Sequence, residues 1–451
     1  MTTLAITLGL IFAVFCGVLA VAHSLRAGRM TLLDWALLAL GGMYGLGWAL
    51  VVAVTQAGGN PFWEGWINPA EALYPLHTMS ALLLTVGIGF GWYAPARLFR
   101  HRPMRQFSGR DPAARPWVLA FWLILLLSVL TQWFYTRAYG GFLELLDYSR
   151  LIRAGIFEVD NPLSFLKPFG GLAMISAYGF FGLWLSRRHG LATFLGLALS
   201  FLFSLYILYS SLGRMGFLVF LATFPLGAAL AYRRNPLKLL LAGSAVFSAI
   251  IVLAYGVSVW LDTRAADTLL EFMARELAFP FASFFAQWSA GEHLFRGFRD
   301  FIAAPLFLLP SSWWINWVET VGQINTTVIM GAPKGESGVT GAIPVDLLTL
   351  GLMQVHIAGI PVVGFMFGVL LRVLQFLVDR IPMSGVRGVF EAYISLKIAA
   401  LGVFYAQPNL IVSGNFALMM GVAIIVSMVV IARIRVFPPR LVSRTLARKY
   451  S

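Results

Sequence analysis

The residues of this chain best suited to chemistry are arginines. Arg214 stands between two apolar runs, Leu191 to Ser211 and Met215 to Tyr232, and no Asp or Glu occurs between Asp160 and Asp262. A cation where two membrane spans meet is costly without a counter-ion. Its partner must be a distant carboxylate, a lipid headgroup or an anionic substrate. Arginine suits phosphate because its planar, permanently charged fork can hold two oxygens at once. If a diphosphate leaves during a reaction, charge grows on the departing oxygen, and preplaced cations lower the barrier.

Helical spacing separates the other arginines. Arg264 with Asp267, Glu271 with Arg275, Glu292 with Arg296 and Asp147 with Arg150 stand three or four residues apart, where side chains of one helical face meet. Arg137, Arg153, Arg214 and Arg299 have no acid at those spacings and are the stronger candidates for holding an external anion. Glu292, Glu336 and His293 are the groups considered as acceptors of a hydroxyl proton. His77 is read with them as a group near the outer face. Lys397, with Glu391 and Tyr393 beside it, and His356 fall inside apolar runs, where a buried polar contact between helices and a functional role are both open.

The elements that must position these groups follow from composition. Of 451 residues, 59% are hydrophobic and 12% charged, with a mean hydropathy of +0.81. That balance belongs to a multi-pass membrane protein, whose spans must be helices because lipid offers their backbones no hydrogen bonds. The expected fold is all-α, a single integral membrane domain over 1–451 with about eleven spans. They are read near 3–23, 32–55, 75–97, 117–137, 167–186, 191–211, 215–232, 236–257, 348–371, 388–406 and 412–433. The first is read as retained, since no basic region or small-residue cleavage site accompanies it. A lone cysteine, Cys16, and scattered histidines give no disulfide and no metal site, and no cofactor is expected.

The net charge of +14 is explained by sidedness and not by nucleic acid. Arg26 and Arg29, the run Arg97 to Arg115, Arg187 and Arg188, Arg233 to Lys238, Arg372 to Arg387, and the tail Arg433 to Lys449 fall on one side. The positive-inside rule makes that side cytoplasmic, with the N-terminus outside and the C-terminus inside. Three outer loops follow, near 56–74, 138–166 and 258–347. The last is expected to hold short helices at the membrane surface, with Trp313, Trp314 and Trp317 at headgroup level. Its end, "APKGESGVTGAIPVDLL" from Ala332 to Leu348, reads as a mobile or sharply turned flap. Lys334 lacks the context of a P-loop. Asn325-Thr326-Thr327 matches a glycosylation acceptor, which carries weight only in a secretory host. No repeat of 20–50 residues is present, which disfavours a transporter built from repeats.

Three segments resemble the oligosaccharide repeat-unit polymerases, the O-antigen polymerase family. "YSSLGRMGFLVF" (Tyr209 to Phe220) is similar to the family's small-residue-then-arginine junction, and "YGGFLELLDYSRLIRAG" (Tyr139 to Gly155) to its outer-loop Gly-Gly followed by arginine. "TGAIPVDLLTLGLMQVHIAGIPVVGFMFG" (Thr340 to Gly368) resembles the approach to a late span, although Thr349, Leu350 and Gln354 stand where the family often carries an acid and an aromatic. The resemblance implies a GT-C-like membrane glycosyltransferase of the bacterial inner membrane. Its growing glycan leaves undecaprenyl diphosphate for the non-reducing end of a new lipid-linked repeat unit. It also implies that Arg214, Arg150, Arg153, Arg296 and Arg299 hold the diphosphate. Glu336, Glu292 or His293 would take the proton. Partners implied are undecaprenyl-diphosphate-linked glycans, membrane lipids, a chain-length regulator and a flippase. An O-antigen ligase and a lipid-linked oligosaccharide flippase are the alternatives, with a membrane scaffold third.

Overall fold

The computed structural model describes residues 2–62, 71–97, 114–154, 159–211, 214–232, 268–290, 295–309, 313–314, 317–337, 339 and 341–436. Among them no strand occurs; the regular elements are helices. They are α1 (Thr2–Ala27), α2 (Leu32–Gln56), α3 (Tyr74–Tyr93), α4 (Ala114–Thr136), α5 (Leu145–Ala154), α6 (Leu172–Leu185), α7 (Leu191–Ser211), α8 (Arg214–Ala231), α9 (Leu269–Leu277), α10 (Phe279–Ser289), α11 (Arg299–Ala303), α12 (Val321–Met330), α13 (Leu347–Val355), α14 (Gly359–Asp379), α15 (Ser384–Ile394), α16 (Pro408–Gly414) and α17 (Phe416–Val436).

Among the described residues seven helical stretches are long and apolar enough to cross a membrane, and the pair α16 and α17, bent by 46°, makes an eighth if it is one span. The difference from eleven has three sources. Met215–Ala231 is too short to count by length. The run through α15 to Phe404 carries Arg387, Glu391 and Lys397. The span expected over 236–257 lies outside the described residues.

Glycine sets the closest packing. α3 and α14 cross through Gly87, Gly91, Gly364 and Gly368, each four residues from its fellow on the same helix. A Cβ on Gly91 would lie 2.0 Å from the Phe365 carbonyl oxygen, and one on Gly368 2.2 Å from that of Ile88. Backbone therefore lies on backbone, the arrangement lipid favours because apolar side chains gain nothing by leaving it.

The late span expected over 348–371 is broken. α13 ends at Val355, His356 takes φ 56° and ψ −147°, and α14 begins at Gly359. Gly351 and Gly359 allow the two half-helices to fold closely together, since a Cβ on Gly359 would lie 2.1 Å from the Gly351 carbonyl. Two further departures from α geometry are π-helical turns, Gly41–Gly47 inside α2 and Ser395–Ala400 after α15. α2 and the second π turn pack together.

The large loop differs from expectation. It contains short helices, but α10 does not lie at a surface. Phe281, Phe284 and Phe285 are fully buried, with Phe281 and Phe285 against Trp48 at 4.8 and 5.7 Å between rings. Trp313 and Trp317 are exposed, 69% and 88%. Asn325 of the acceptor triplet is fully buried and donates to Ser283 Oγ at 3.0 Å, so it is no surface sequon.

One end of the bundle is tied by ions. Arg29 grips Asp379 with two bonds of 2.6 Å, and Gln375 Nε2 donates to Asp379 and Glu391. Burial works against the Arg29 charge, yet the Asp379 carboxylate outweighs it and holds the guanidinium above its ordinary pKa. His23 Nδ1 meets Asp34 Oδ1 at 2.7 Å in the same region. Asp34, Asp379 and Glu391 are thus engaged by structure, and Glu391 is held by Gln375 and not by Lys397.

Candidate functional site

Helix register locates the arginine junction. A Cβ on Gly227 would lie 2.8 Å from Val389 Cα, and one on Gly388 2.6 Å from Ala231 N, so α8 and α15 run antiparallel in contact. The Ala231 end of α8 therefore sits near the start of α15, beside the Arg29–Asp379 end. Eighteen residues at 1.5 Å each put Arg214 about 27 Å away, at the far end of the bundle. Lys167 reaches the same end by the same logic. A Cβ on Gly182 would lie 2.5 Å from Val386 Cα, and Lys167 precedes Gly182 by fifteen residues on a continuous helical stretch.

The flap joins these cations. Lys334 and Lys167 are both solvent-exposed and act on one another electrostatically. Lys334 lies in a sharp turn in which Gly335 has φ 97° and Ser337 φ 48°, and the Glu336 N–H donates to Pro333 O at 3.2 Å. Glu336 itself is exposed, as a proton acceptor for an external hydroxyl must be.

The second half of the flap is fastened. The Ile343 N–H donates to Thr326 Oγ1 at 2.9 Å, and the Ala406 N–H to Val345 O at 2.9 Å. Asp346, fully buried, caps α13 by accepting from the N–H groups of Leu348 (3.1 Å) and Thr349 (3.4 Å). Tyr44, on the π turn of α2, donates its hydroxyl to Asp346 Oδ2 at 2.5 Å. The flap is thus a turn hung from a fixed post. Tyr44→Phe leaves the cap without its hydroxyl donor, with an expected loss of about 1–3 kcal/mol. Asp346→Asn is expected to cost less than Asp346→Ala, because its amide oxygen can still cap α13. Thermal unfolding in detergent checks both orders.

The remaining candidates separate. Arg296 is committed: its guanidinium makes two 2.6 Å bonds to Asp300 and a 2.8 Å bond to Glu319 O, and Gln354 Nε2 donates to Asp300 at 3.0 Å. This small network ties the loop to the end of α13, where the N–H groups of Arg296 and Gly297 meet Met353 O and Gln354 O. Its acid is Asp300, four residues on; Glu292, the expected partner, lies outside the described residues, as do His293, Arg264 and Asp267. Arg299 is exposed at the start of α11.

Arg150 and Arg153 sit on α5, which packs against α7, with Arg150 exposed. The Asp147–Arg150 ion pair expected from spacing is not formed among the described residues, whereas Glu271–Arg275 is, at 2.7 Å. The Gly-Gly before α5 has φ 100° and 142°, conformations open to glycine, and its turn precedes the helix that bears both arginines. Of Arg153 and Arg214 the backbone positions are described and the side chains are not. Arg137 lies over the Trp133 ring at 4.2 Å, a partner that counting acids does not find.

His77, read as a group near the outer face, is fully buried among Tyr44, Trp48, Phe281 and Phe284, with no hydrogen-bond partner for either ring nitrogen among the described residues. It cannot reach a substrate there. Lys167 and Asp346 are the residues that spacing did not single out. Lys167 had a legible signal, a lone cation at the start of an apolar run. Among the described residues no group of three His, Cys, Asp or Glu is placed to hold a metal. No protein-family model, curated protein or solved structure matches this chain.

Proposed function

We propose that this protein is a membrane glycosyltransferase that polymerises lipid-linked oligosaccharide repeat units, in the manner of the O-antigen polymerases. The observation that carries the reading is that Arg214 and Lys167 fall at the bundle end opposite the Arg29–Asp379 ties, and that Lys334, whose turn presents an exposed Glu336, lies within electrostatic reach of Lys167. In this reading that end faces the periplasm, the N-terminus is periplasmic and the C-terminus cytoplasmic, and the fold belongs with the GT-C-like transferases. Eleven spans fit this sidedness.

The chemistry balances without a nucleotide. The acceptor sugar hydroxyl attacks the anomeric carbon of the donor glycan. As that C–O bond forms, the bond from the anomeric carbon to the diphosphate oxygen breaks, and undecaprenyl diphosphate leaves. Glu336, Glu292 or His293 takes the hydroxyl proton. Arg214 binds the developing charge, with Arg150, Arg153 and Arg299 on neighbouring loops as further contacts. Arg296 supports the loop through Asp300 in place of direct binding. An apolar groove of about 470 Å³ lined by Phe181, Phe194, Leu197, Phe201, Leu202 and Phe224 borders α8 and suits a prenyl chain.

Reconstitution with a defined undecaprenyl-diphosphate repeat unit tests the proposal. A ladder of lengthened lipid-linked glycan is the expected product. Transfer of preformed glycan to a finished lipid acceptor alone would identify a ligase. Movement of the substrate across the membrane with no new glycosidic bond would identify a flippase.

A further inference from the structure

We infer that Lys397 is a second anion-binding residue of this site, one that takes the lipid-side phosphate of the diphosphate below the level of Arg214. The inference rests on the transferase reading for the identity of the ligand but not for the existence of the site.

Lys397 lies on the π-helical turn Ser395–Ala400, deep in the chain's tenth apolar run. It is half-buried and makes no ion pair or hydrogen bond among the described residues. An ammonium group at this depth with no partner is expensive, and π turns within helices often mark functional sites. The acid nearest in sequence, Glu391, is already held by Gln375. Nothing described supplies a counter-charge from within the protein.

Direction and depth follow from packing. Val389, Tyr393 and Lys397 recur every four residues and so share one helical face. Val389 meets Gly227 of α8, and Tyr393 meets Tyr178 of α6 at 5.1 Å between rings. The stripe therefore runs along the side facing α6 and α8. By the α8–α15 register Lys397 is level with residues 219–222, which puts Arg214 about 10 Å farther toward the open end. Level with Lys397 and below it, the rings of Phe220, Phe224, Tyr178 and Tyr393 pack on one another between α6, α8 and α15. A cation above an aromatic floor and below an arginine rim matches an extended anion whose apolar tail leaves sideways, such as a prenyl diphosphate.

The test uses the full chain in phosphatidylcholine nanodiscs, with undecaprenyl diphosphate and, separately, phosphatidylglycerol as probes. Lys397→Met is expected to weaken undecaprenyl diphosphate binding about 10- to 100-fold, the worth of one charge-assisted bond. Lys397→Arg should stay close to wild type. Because the lysine has no partner among the described residues, Lys397→Met should melt at or above the wild-type temperature, as replacing an unpaired buried charge relieves its desolvation. Wild-type binding in Lys397→Met would overturn the inference, and so would a marked fall in its melting temperature, which identifies a structural lysine. Equal Lys397-dependent binding of phosphatidylglycerol would keep the anion site and name a lipid headgroup as its ligand. Lys397-dependent diphosphate binding without any glycan ladder from the wild type would keep the site and sink the polymerase reading.

Discussion

Arg214→Ala is expected to lower the rate of glycan polymerisation about 10²- to 10³-fold while the protein still folds, the usual effect of removing one preorganised donor to a developing anion. The folding half of this expectation comes from position. Arg214 is the first residue of α8, where the helix dipole is positive and a cation is unfavourable. Removing it therefore relieves the helix instead of costing it. Arg214→Lys separates charge from geometry: substantial retained activity means a point charge suffices, and a loss near that of alanine means the two-oxygen grip matters. The rate is read as the glycan ladder formed from a defined lipid-linked repeat unit. A well-folded Arg214→Ala protein making a normal ladder would remove Arg214 from the mechanism.

The second large effect concerns the fold itself. Gly91→Leu is expected to destabilise the bundle by more than about 3 kcal/mol, beyond ordinary overpacking, because the intruding carbon meets backbone that cannot rotate away. Its Cβ alone would stand 2.0 Å from the Phe365 carbonyl oxygen and 2.8 Å from the carbonyl carbon. Gly89 lies two residues away in the same helix, with nothing within 4 Å of its Cβ site, and Gly89→Leu is the matched control. Propensity and hydrophobicity change equally in the pair, so only the α3–α14 contact distinguishes them. Equal melting temperatures for the two variants in detergent would show that the close crossing does not hold the bundle together.

Much of the architecture was legible because hydropathy is a local signal. The expected spans 3–23, 32–55 and 191–211 correspond to Thr2–Ala27, Leu32–Gln56 and Leu191–Ser211. Apolar side chains need not know their neighbours to prefer lipid. The broken late span was not legible: Leu347 to Asp379 has the hydropathy of one span despite Gln354, His356, Arg372 and Gln375, and the break at His356 goes with the folding of α13 against α14 through Gly351 and Gly359. The glycine spacings on α3 and α14 are plain in the chain, yet the crossing they serve joins residues some 280 positions apart.

For the site, the expected partner of Arg296 is Glu292, which lies outside the described residues, whereas the acid bonded to Arg296 in the structure is Asp300, equally four residues away on the other side. Asp147 and Arg150 had suitable spacing and made no ion pair among the described residues, whereas Glu271 and Arg275 did. Exposed pairs are worth little, so their formation depends on surroundings that a chain does not record.

What the amino-acid sequence determined by itself was a helical membrane protein, most of its spans, and an arginine junction without local acid at Arg214. These depend on transfer free energies and charge counts within a segment. Only the tertiary structure decided that Lys167 and Lys334 lie within electrostatic reach, that Asp346 and Tyr44 pin the flap, that His77 is sealed among aromatics, and that Lys397 has no ion pair or hydrogen bond among the described residues. Each depends on contacts between distant segments, and such contacts are set by helix register and glycine-mediated approach, which no local property of the chain specifies.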